Sequence, residues 1–377
     1  MLRSIMKLSV LIASGCFILM FSAFIGHSNL EHKTLEIGAF APDFNLKSVD
    51  GNFYSLASFK NAEVLVVVFT CNHCPTAQAY EDRLIELASE YSKKNVAVVA
   101  IMPNDPACLR LDELDFSDIG DSYEEMKIRA KEKKFNFPYL YDGDSEIVSG
   151  AYGPVATPHV FVFDKERNLR YQGRVDDTES PFKTPQQTDA RNAINAILNN
   201  QEIRVKTTKV FGCSVKWSDK KDLVEKVRQE WAKEPVHLEL ISEDSLGNMI
   251  KNPSEKLRLI NFWTTKSSVS EKEFREFVSI NRMYRDRDFE FISICTDNLN
   301  NRDSVLSFLK VEQASNLNFL FDGKNLKDAS LPLLKGAMPY TILVEPEGKI
   351  VYTKNGTIDP AQLKWTIVNN HLIGKYP

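Results

Sequence analysis

Cys71-Asn72-His73-Cys74-Pro75 is the stretch that decides how this chain is read. Before it stands an apolar, β-branched run, Val64 to Phe69. After it, Thr76 to Tyr91 carries Leu84, Leu87 and Tyr91 at helical spacing. The predicted order is strand, C-x-x-C, helix. Two thiols at that spacing can close a disulfide within one helical turn. A helix N-terminus favours negative charge, so it should lower the pKa of the first thiol, Cys71, and only the thiolate attacks. The placement points to thiol–disulfide chemistry.

Working outward, the chain from Ala39 alternates strands and helices, which predicts an α/β fold. Phe44 to Leu46 and Phe53 to Tyr54 flank the hairpin signal Asp50-Gly51. Val96 to Met102 is a strand. Ser122 to Lys133 is a helix whose N-cap, Ser122, has Glu125 three residues on, a capping box. Tyr139 to Tyr141 is a short strand. Thr157-Pro158 leads into Val160 to Phe163, then Leu169 to Arg174, and Asp189 to Asn199 closes with a helix. Ser218 to Glu234 reads as an amphipathic helix with Leu223, Val224, Val227 and Trp231 on one face.

The pattern then repeats. Leu257 to Trp263 is a strand, Val269 to Tyr284 a helix and Phe289 to Cys295 a strand. Asp303 to Leu309 is a helix and Phe319 to Phe321 a strand. Met338-Pro339 leads into Tyr340 to Val344, then Lys349 to Tyr352, and Ala361 to His371 is the closing helix. Matching element order makes an internal duplication the economical reading. The expected organisation is a targeting segment over 1–30, a domain over 35–217, a helical linker over 218–236 and a second domain over 237–377. Each domain is a central mixed sheet flanked by helices.

A chain of 377 residues suits two domains plus a targeting segment. The net charge of −4 gives no reason to expect nucleic acid. Arg3 and Lys7 precede an apolar run from Leu8 to Ile25, and the first acid is Glu31. That pattern predicts export, as a cleaved signal peptide or an uncleaved inner-membrane anchor. Ala13-Ser14-Gly15-Cys16 resembles a lipobox, but the apolar run continues through Phe24, against lipidation. Either way the rest of the chain is expected to face an extracytoplasmic, periplasmic space where disulfides persist. The other cysteines, Cys71, Cys74, Cys108, Cys213 and Cys295, are too few for a disulfide scaffold and fit no four-ligand zinc spacing. Pro75 in place of His excludes C-x-x-C-H haem attachment. No cofactor or metal is expected.

The first pass resembles the thioredoxin superfamily, specifically redoxin domains of the alkyl hydroperoxide reductase / thiol-specific antioxidant group. Gly38-Ala39-Phe40-Ala41-Pro42-Asp43-Phe44, Cys71-Asn72-His73-Cys74-Pro75, Asn104-Asp105-Pro106 and Phe137-Pro138-Tyr139-Leu140-Tyr141-Asp142 carry the resemblance. So do Thr157-Pro158, Gly173-Arg174-Val175-Asp176-Asp177 and Gly212-Cys213-Ser214-Val215-Lys216-Trp217. The match runs from Leu35 to Trp217 and looks like the bacterial exported redoxins that carry T-C-N-H-C-P. The resemblance implies two thioredoxin-like domains. It implies Cys71 as attacking thiol, Cys74 as resolving thiol, and Thr157-Pro158 as a cis-proline loop facing the disulfide and presenting backbone to a substrate strand. It also suggests that Cys213 returns to the active site, although a buried small residue fits as well. His73 either stabilises the Cys71 thiolate or faces solvent. His159 stands beside the loop, in the site, in the core or at the surface.

Peroxiredoxins hold their cysteine in P-x-x-x-T-x-x-C. Counting back from Cys74, Cys71 and Val67 stand where Thr and Pro belong, and Cys71 fares no better, with Val68 and Val64. The peroxidase signature is absent. Six residues before Cys71, where thioredoxins often bury an acid, stands Leu65, so no proton acceptor for Cys74 is apparent. The second pass resembles the same superfamily, but Ser267 and Ser270 stand where cysteines belong. The expected function is a thiol–disulfide oxidoreductase acting on protein thiols or disulfides together with a redox partner. The rivals are a thiol-dependent peroxidase and a non-enzymatic thiol or copper-binding module. If His73 stabilises the reduced form, a glutathione titration should place the couple above thioredoxin's roughly −270 mV, toward the oxidising end near −120 mV. A potential at thioredoxin's value would remove that role for His73.

Overall fold

The computed structural model describes residues 32–322 and 338–374. The expected targeting segment, including Cys16, lies outside the described residues. Among the described residues, no helix is long and apolar enough to cross a membrane.

The first sheet opens with a hairpin, β1 (Asn45–Ser48) and β2 (Phe53–Ser55). Strand β3 (Val64–Phe69) feeds helix α1 (Pro75–Tyr91), followed by β4 (Val96–Met102), α2 (Tyr123–Lys133) and β5 (Tyr139–Tyr141). Then come α3 (Ile147–Tyr152), the two-residue β6 (Ala156–Thr157), β7 (His159–Phe163), β8 (Leu169–Gly173) and α4 (Asp189–Leu198). The strand order is β2-β1-β5-β4-β3-β7-β8. Strands β3, β4 and β5 are parallel, and β7 runs antiparallel to β3.

The sequence of β3 explains its central place. Val64, Val66 and Val68 pack with Tyr80, Leu84 and Leu87 of α1, while Leu65, Val67 and Phe69 pack with Val148, Tyr152 and Phe161 on the opposite face. No β3 side chain is more than 1% exposed. A strand covered on both faces reads as a continuous apolar run, and each large apolar side chain so buried contributes roughly 1.5–3 kcal/mol. The capping box forms as expected: Ser122 Oγ accepts the Glu125 N–H at 3.3 Å, and Glu125 Oε2 accepts the Ser122 N–H at 3.0 Å.

Next come β9 (Cys213–Ser214), α5 (Lys221–Trp231), β10 (Glu239–Ile241) and α6 (Glu243–Ile250). The second sheet adds β11 (Leu257–Trp263), α7 (Ser268–Tyr284), β12 (Phe289–Cys295), α8 (Arg302–Val311) and β13 (Leu317–Phe321). It ends with β14 (Tyr340–Val344), β15 (Ile350–Asn355) and α9 (Pro360–Val368). Its order, β10-β13-β12-β11-β14-β15, repeats the β5-β4-β3-β7-β8 order of the first sheet in its last five strands. Helices α1 and α7 are both 17 residues long. Both Thr157-Pro158 and Met338-Pro339 are cis, each just before the equivalent strand. The protein is therefore α/β, with two mixed sheets flanked by helices.

Three expectations need adjusting. The amphipathic helix is shorter, because a 3-10 turn occupies Ser218–Lys220. Val224 and Trp231 are buried on it, but Leu223 is 49% exposed. Helix α9 ends at Val368 rather than His371. Elements α3, β6, β9, β10 and α6 go unread in sequence, being only 2–8 residues long, too short for periodicity to register.

The connection from β4 to α2 binds the two sheets together. Leu111 and Leu114 pack against the core that contains Leu257, Phe277 and Tyr284. The Tyr284 hydroxyl donates to the Ser117 carbonyl at 2.8 Å. Arg287 lies 3.7 Å over the Phe116 ring and donates to the Asp115 carbonyl at 3.2 Å. Tyr284→Phe should lower stability by about 1 kcal/mol, one hydrogen bond. Tyr284→Ala should cost about 3–5 kcal/mol by opening a cavity. Denaturant unfolding checks both, and an unchanged stability in Tyr284→Phe would mean that the hydroxyl carries none of the contact.

Candidate active site

Helix α1 begins at Pro75, so its N-cap is Cys74 (φ −71, ψ 122). Proline suits the first helical position because its missing N–H would find no partner there. Cys71 is 2% exposed and Cys74 0%. Cys71 Sγ lies 3.0 Å from Thr157 Oγ1, and Cys74 Sγ lies 3.6 Å from the Thr157 carbonyl oxygen. The sequence-predicted residues Cys71, Cys74, Thr157 and Pro158 thus come together. Both cysteines are free thiols.

His73 joins them, but as a buried group. It is 1% exposed, which overturns a solvent-facing placement. Its Nδ1 lies 2.6 Å from Asp121 Oδ2. Asp121 Oδ1 accepts the backbone N–H groups of Asn72 at 2.9 Å and His73 at 3.1 Å, and Asn104 Nδ2 donates to Oδ2 at 2.6 Å. Burial disfavours a charged imidazole, but the charge and hydrogen bond of Asp121 outweigh it and hold the His73 pKa above its ordinary value. Burial likewise works against the Asp121 carboxylate, yet His73 and the converging N–H donors keep its pKa below the usual range.

The charge in the dithiol falls on Cys74. Burial opposes its thiolate, but hydrogen bonds from the Cys213 and Cys71 thiols, the His73 charge and the Ala77 N–H together hold its pKa well below the ordinary thiol value. Cys71 moves the other way: burial, its hydrogen bond to Cys74 and the nearby Asp121 charge push it well up. This reverses the expectation that the helix lowers Cys71. The reason is where the helix starts: Cys74 sits at its N-terminus, and Cys71 lies a turn before it.

Asn72 locks the motif in place. Its Nδ2 donates to the Gly120 carbonyl at 2.8 Å, its Oδ1 accepts from the Tyr139 hydroxyl at 3.1 Å, and its carbonyl accepts from Gln78 Nε2 at 2.7 Å. Cys71, His73 and Asp121 each offer a possible metal-ligand atom within 4.8 Å of the others. However, both Asp121 oxygens already receive two N–H donors, so a cation there would have to displace them. The arrangement reads as an acid–imidazole pair close to the dithiol, and not as a metal cradle.

His159 lies outside this cluster. Its Nε2 meets Gln172 Oε1 at 2.8 Å, and burial lowers its pKa to about 4, so the ring is neutral. Cys108 is buried, its pKa pushed up to about 11 by burial and Asp105. Cys295 is core, packed with Trp263 and Phe274.

The second sheet corrects the assignment of its cysteine positions. The N-cap of α7 is Ser267, so Ser267 matches Cys74, and Thr264, three residues earlier, matches Cys71. Strand register agrees, since Tyr340 pairs with Phe262 as His159 pairs with Phe69. Ser270, buried inside α7, donates its backbone N–H to the Ser267 hydroxyl, a helix cap. The hydroxyls of Thr264 and Thr265 bond to Asp297. No thiol stands at either place.

Sequence reading misses Asp121, Asn104 and Tyr139 as site residues. Asp121 supplies the acid that Leu65 does not, from a connection rather than from β3. Its only local signal is its place before the capping-box Ser122. With Asp121→Asn, the pH midpoint for alkylation of Cys74 should rise by on the order of one unit, a tenfold loss of thiolate below it. Linkage adds two signs. The depressed Asp121 pKa contributes stability above about pH 4 that is lost as pH falls through the folded value, and the raised His73 pKa contributes below about pH 6.5 and is lost as pH rises through the folded value. Iodoacetamide alkylation followed by peptide mass spectrometry checks the midpoint. An unmoved one would detach the acid–imidazole pair from the thiol.

Residues 37–172 match the model of the AhpC/TSA family. A Bacillus cereus protein named thiol-disulfide oxidoreductase ResA is 28% identical over 148 residues, 39% of this chain and 73% of that protein. A Helicobacter pylori protein provisionally named peroxiredoxin bcp is 36% identical over 70 residues, 19% of this chain and 46% of that protein. The solved structure of a hypothetical protein from Sinorhizobium meliloti 1021 is 33% identical and covers 49% of this chain and 97% of its own, with a TM-score of 0.44. Residues 37–172 are therefore a redoxin domain of the AhpC/TSA family, in the thioredoxin superfamily, and a second α/β domain follows it.

Proposed function

We propose that the first domain is a thiol–disulfide oxidoreductase that exchanges electrons with protein thiols through a Cys71–Cys74 disulfide. The observation that carries this reading is the polarised dithiol at the helix N-cap. The Cys74 pKa is drawn down by the hydrogen bonds it receives, the Ala77 N–H of α1 among them, and by the His73 charge, while burial and the Asp121 charge push Cys71, beside Thr157, up. A mixed disulfide on Cys71 has its resolving nucleophile already charged beside it. In the reverse direction Cys74, the lower-pKa sulfur, is the better leaving group. His73, paired with Asp121, stands beside Cys74 to give or take the proton as the couple turns over. The name of the Bacillus cereus relative agrees with this reading. We place the activity on the extracytoplasmic side, because of the charged and apolar N-terminal pattern and the oxidising surroundings such a couple needs.

Thiol-dependent peroxide reduction is the second reading. The burial of both sulfurs, 2% and 0% exposed, favours it because a peroxide is small enough to enter where a protein strand is not. Against it stand the missing P-x-x-x-T-x-x-C run and the placement of the Thr157 hydroxyl at Cys71, the protonated sulfur.

Insulin reduction, hydrogen peroxide consumption and copper binding, measured on the wild type and on Cys71→Ser, separate the readings. Insulin reduction should be present in the wild type and fall to background in Cys71→Ser, with peroxide consumption and copper binding at background in both. Peroxide turnover without disulfide exchange would replace the main reading with the second. Stoichiometric copper retention without either activity would replace both with a binding module.

A further inference from the structure

Cys213 lies on the third side of the dithiol. Strand β9 pairs antiparallel with β6, with Cys213 opposite Thr157 and Ser214 opposite Ala156. The Cys213 backbone N–H donates to Cys74 Sγ at 3.3 Å. The approach is so close that only glycine fits before it. Gly212 has φ +127, and a Cβ there would stand 1.9 Å from the Thr157 carbonyl oxygen.

The segment is strapped down just beyond. The Lys216 N–H donates to Asn104 Oδ1 at 2.9 Å, the Lys216 carbonyl accepts the Asp105 N–H at 3.0 Å, and Lys216 Nζ meets Glu113 at 2.7 Å. The chain thus lays its own strand along the cis-proline loop, with a thiol at the residue that faces the loop. Of the three, Cys71 and Cys74 are buried, and Cys213 alone is partly exposed.

We propose that Cys213 is a third redox thiol, the port through which a partner protein's dithiol or disulfide exchanges electrons with the buried pair by way of a Cys74–Cys213 disulfide. This rests on the Cys71–Cys74 reading above. Starting from the Cys71–Cys74 disulfide, Cys213 Sγ attacks Cys74 Sγ. The Cys74–Cys213 bond forms as the Cys71–Cys74 bond breaks, and Cys71 leaves with the proton that Cys213 gives up. No electron leaves the protein in this step. A partner thiolate then attacks Cys213 Sγ and expels Cys74, leaving a mixed disulfide on Cys213. The partner's second thiolate attacks its own bonded sulfur, closes the partner disulfide and releases Cys213. Two electrons have passed from the partner dithiol to Cys71 and Cys74. The same steps in reverse reduce a partner disulfide. Thiolate attack on a disulfide sulfur is the only chemistry required.

The test uses the full chain. Cys71→Ser is oxidised with glutathione disulfide, blocked with iodoacetamide and mapped by mass spectrometry without reduction. A Cys74–Cys213 linked peptide should be the main product. In Cys213→Ser and Cys213→Ala, dithiothreitol-driven insulin reduction should fall at least tenfold, while glutathione disulfide still closes Cys71–Cys74. If Cys74 and Cys213 stay separately alkylated in Cys71→Ser, and both Cys213 variants reduce insulin at the wild-type rate, the port is overturned and the pair stands. If Cys71–Cys74 fails to close in the wild type, the reading it rests on fails, and the port with it. The Cys71→Ser map does not depend on how the Cys213 variants fold.

Discussion

The site depends on one buried carboxylate. Asp121 is 1% exposed, and an ion taken out of water costs several kcal/mol even after the protein relaxes around it. Three N–H donors and the His73 ring offset that cost, because charge-assisted hydrogen bonds are roughly twice as strong as neutral ones. Everything else in the cluster takes its sign from that charge. It raises the imidazole's pKa despite burial, positive charge on that ring favours a Cys74 thiolate, and negative charge on Cys74 in turn raises Cys71 and Cys213. A neutral group at 121 would remove the charge that raises His73 and would leave only the helix N-cap and the sulfur hydrogen bonds to set Cys74 apart.

Much of the scaffold is legible in sequence, for identifiable reasons. Strands β3, β4, β11, β12 and β14 are buried on both faces, so they appear as apolar runs with clear ends. The capping box at Ser122 is a local code and reads correctly. The cysteine pair and Thr157-Pro158 are legible because motif and resemblance agree. What does not read out is long-range. Nothing local separates Asp121 from other acids in its connection, and its role exists only once β4 and α1 bring residues 72, 73 and 104 around it. Which thiol caps the helix depends on where α1 begins, and sequence patterns locate helix ends poorly.

The two sheets show how little change disarms such a centre. In the second, the helix cap is a serine, the place of Cys71 is a threonine, and Asp297 binds the Thr264 and Thr265 hydroxyls instead of serving an imidazole. There the carboxylate is taken up by two hydroxyls. In the first, satisfaction is incomplete: His73 Nε2 is buried without a hydrogen-bond partner. A buried donor left unpaired beside thiols is costly as structure, yet it is what an acid–base group needs in order to act.

The connection between β4 and α2 has a further consequence. It carries Asn104 at one end and Asp121 at the other, and its middle is held by Tyr284 and Arg287 of the cysteine-free half. A residue 167 positions from Ser117 therefore helps to fix the loop on which the site's acid stands. The cysteine-free half thus bears on the site as the abutment of an arch bears on its keystone: a change in its packing would reach Asp121 through this connection.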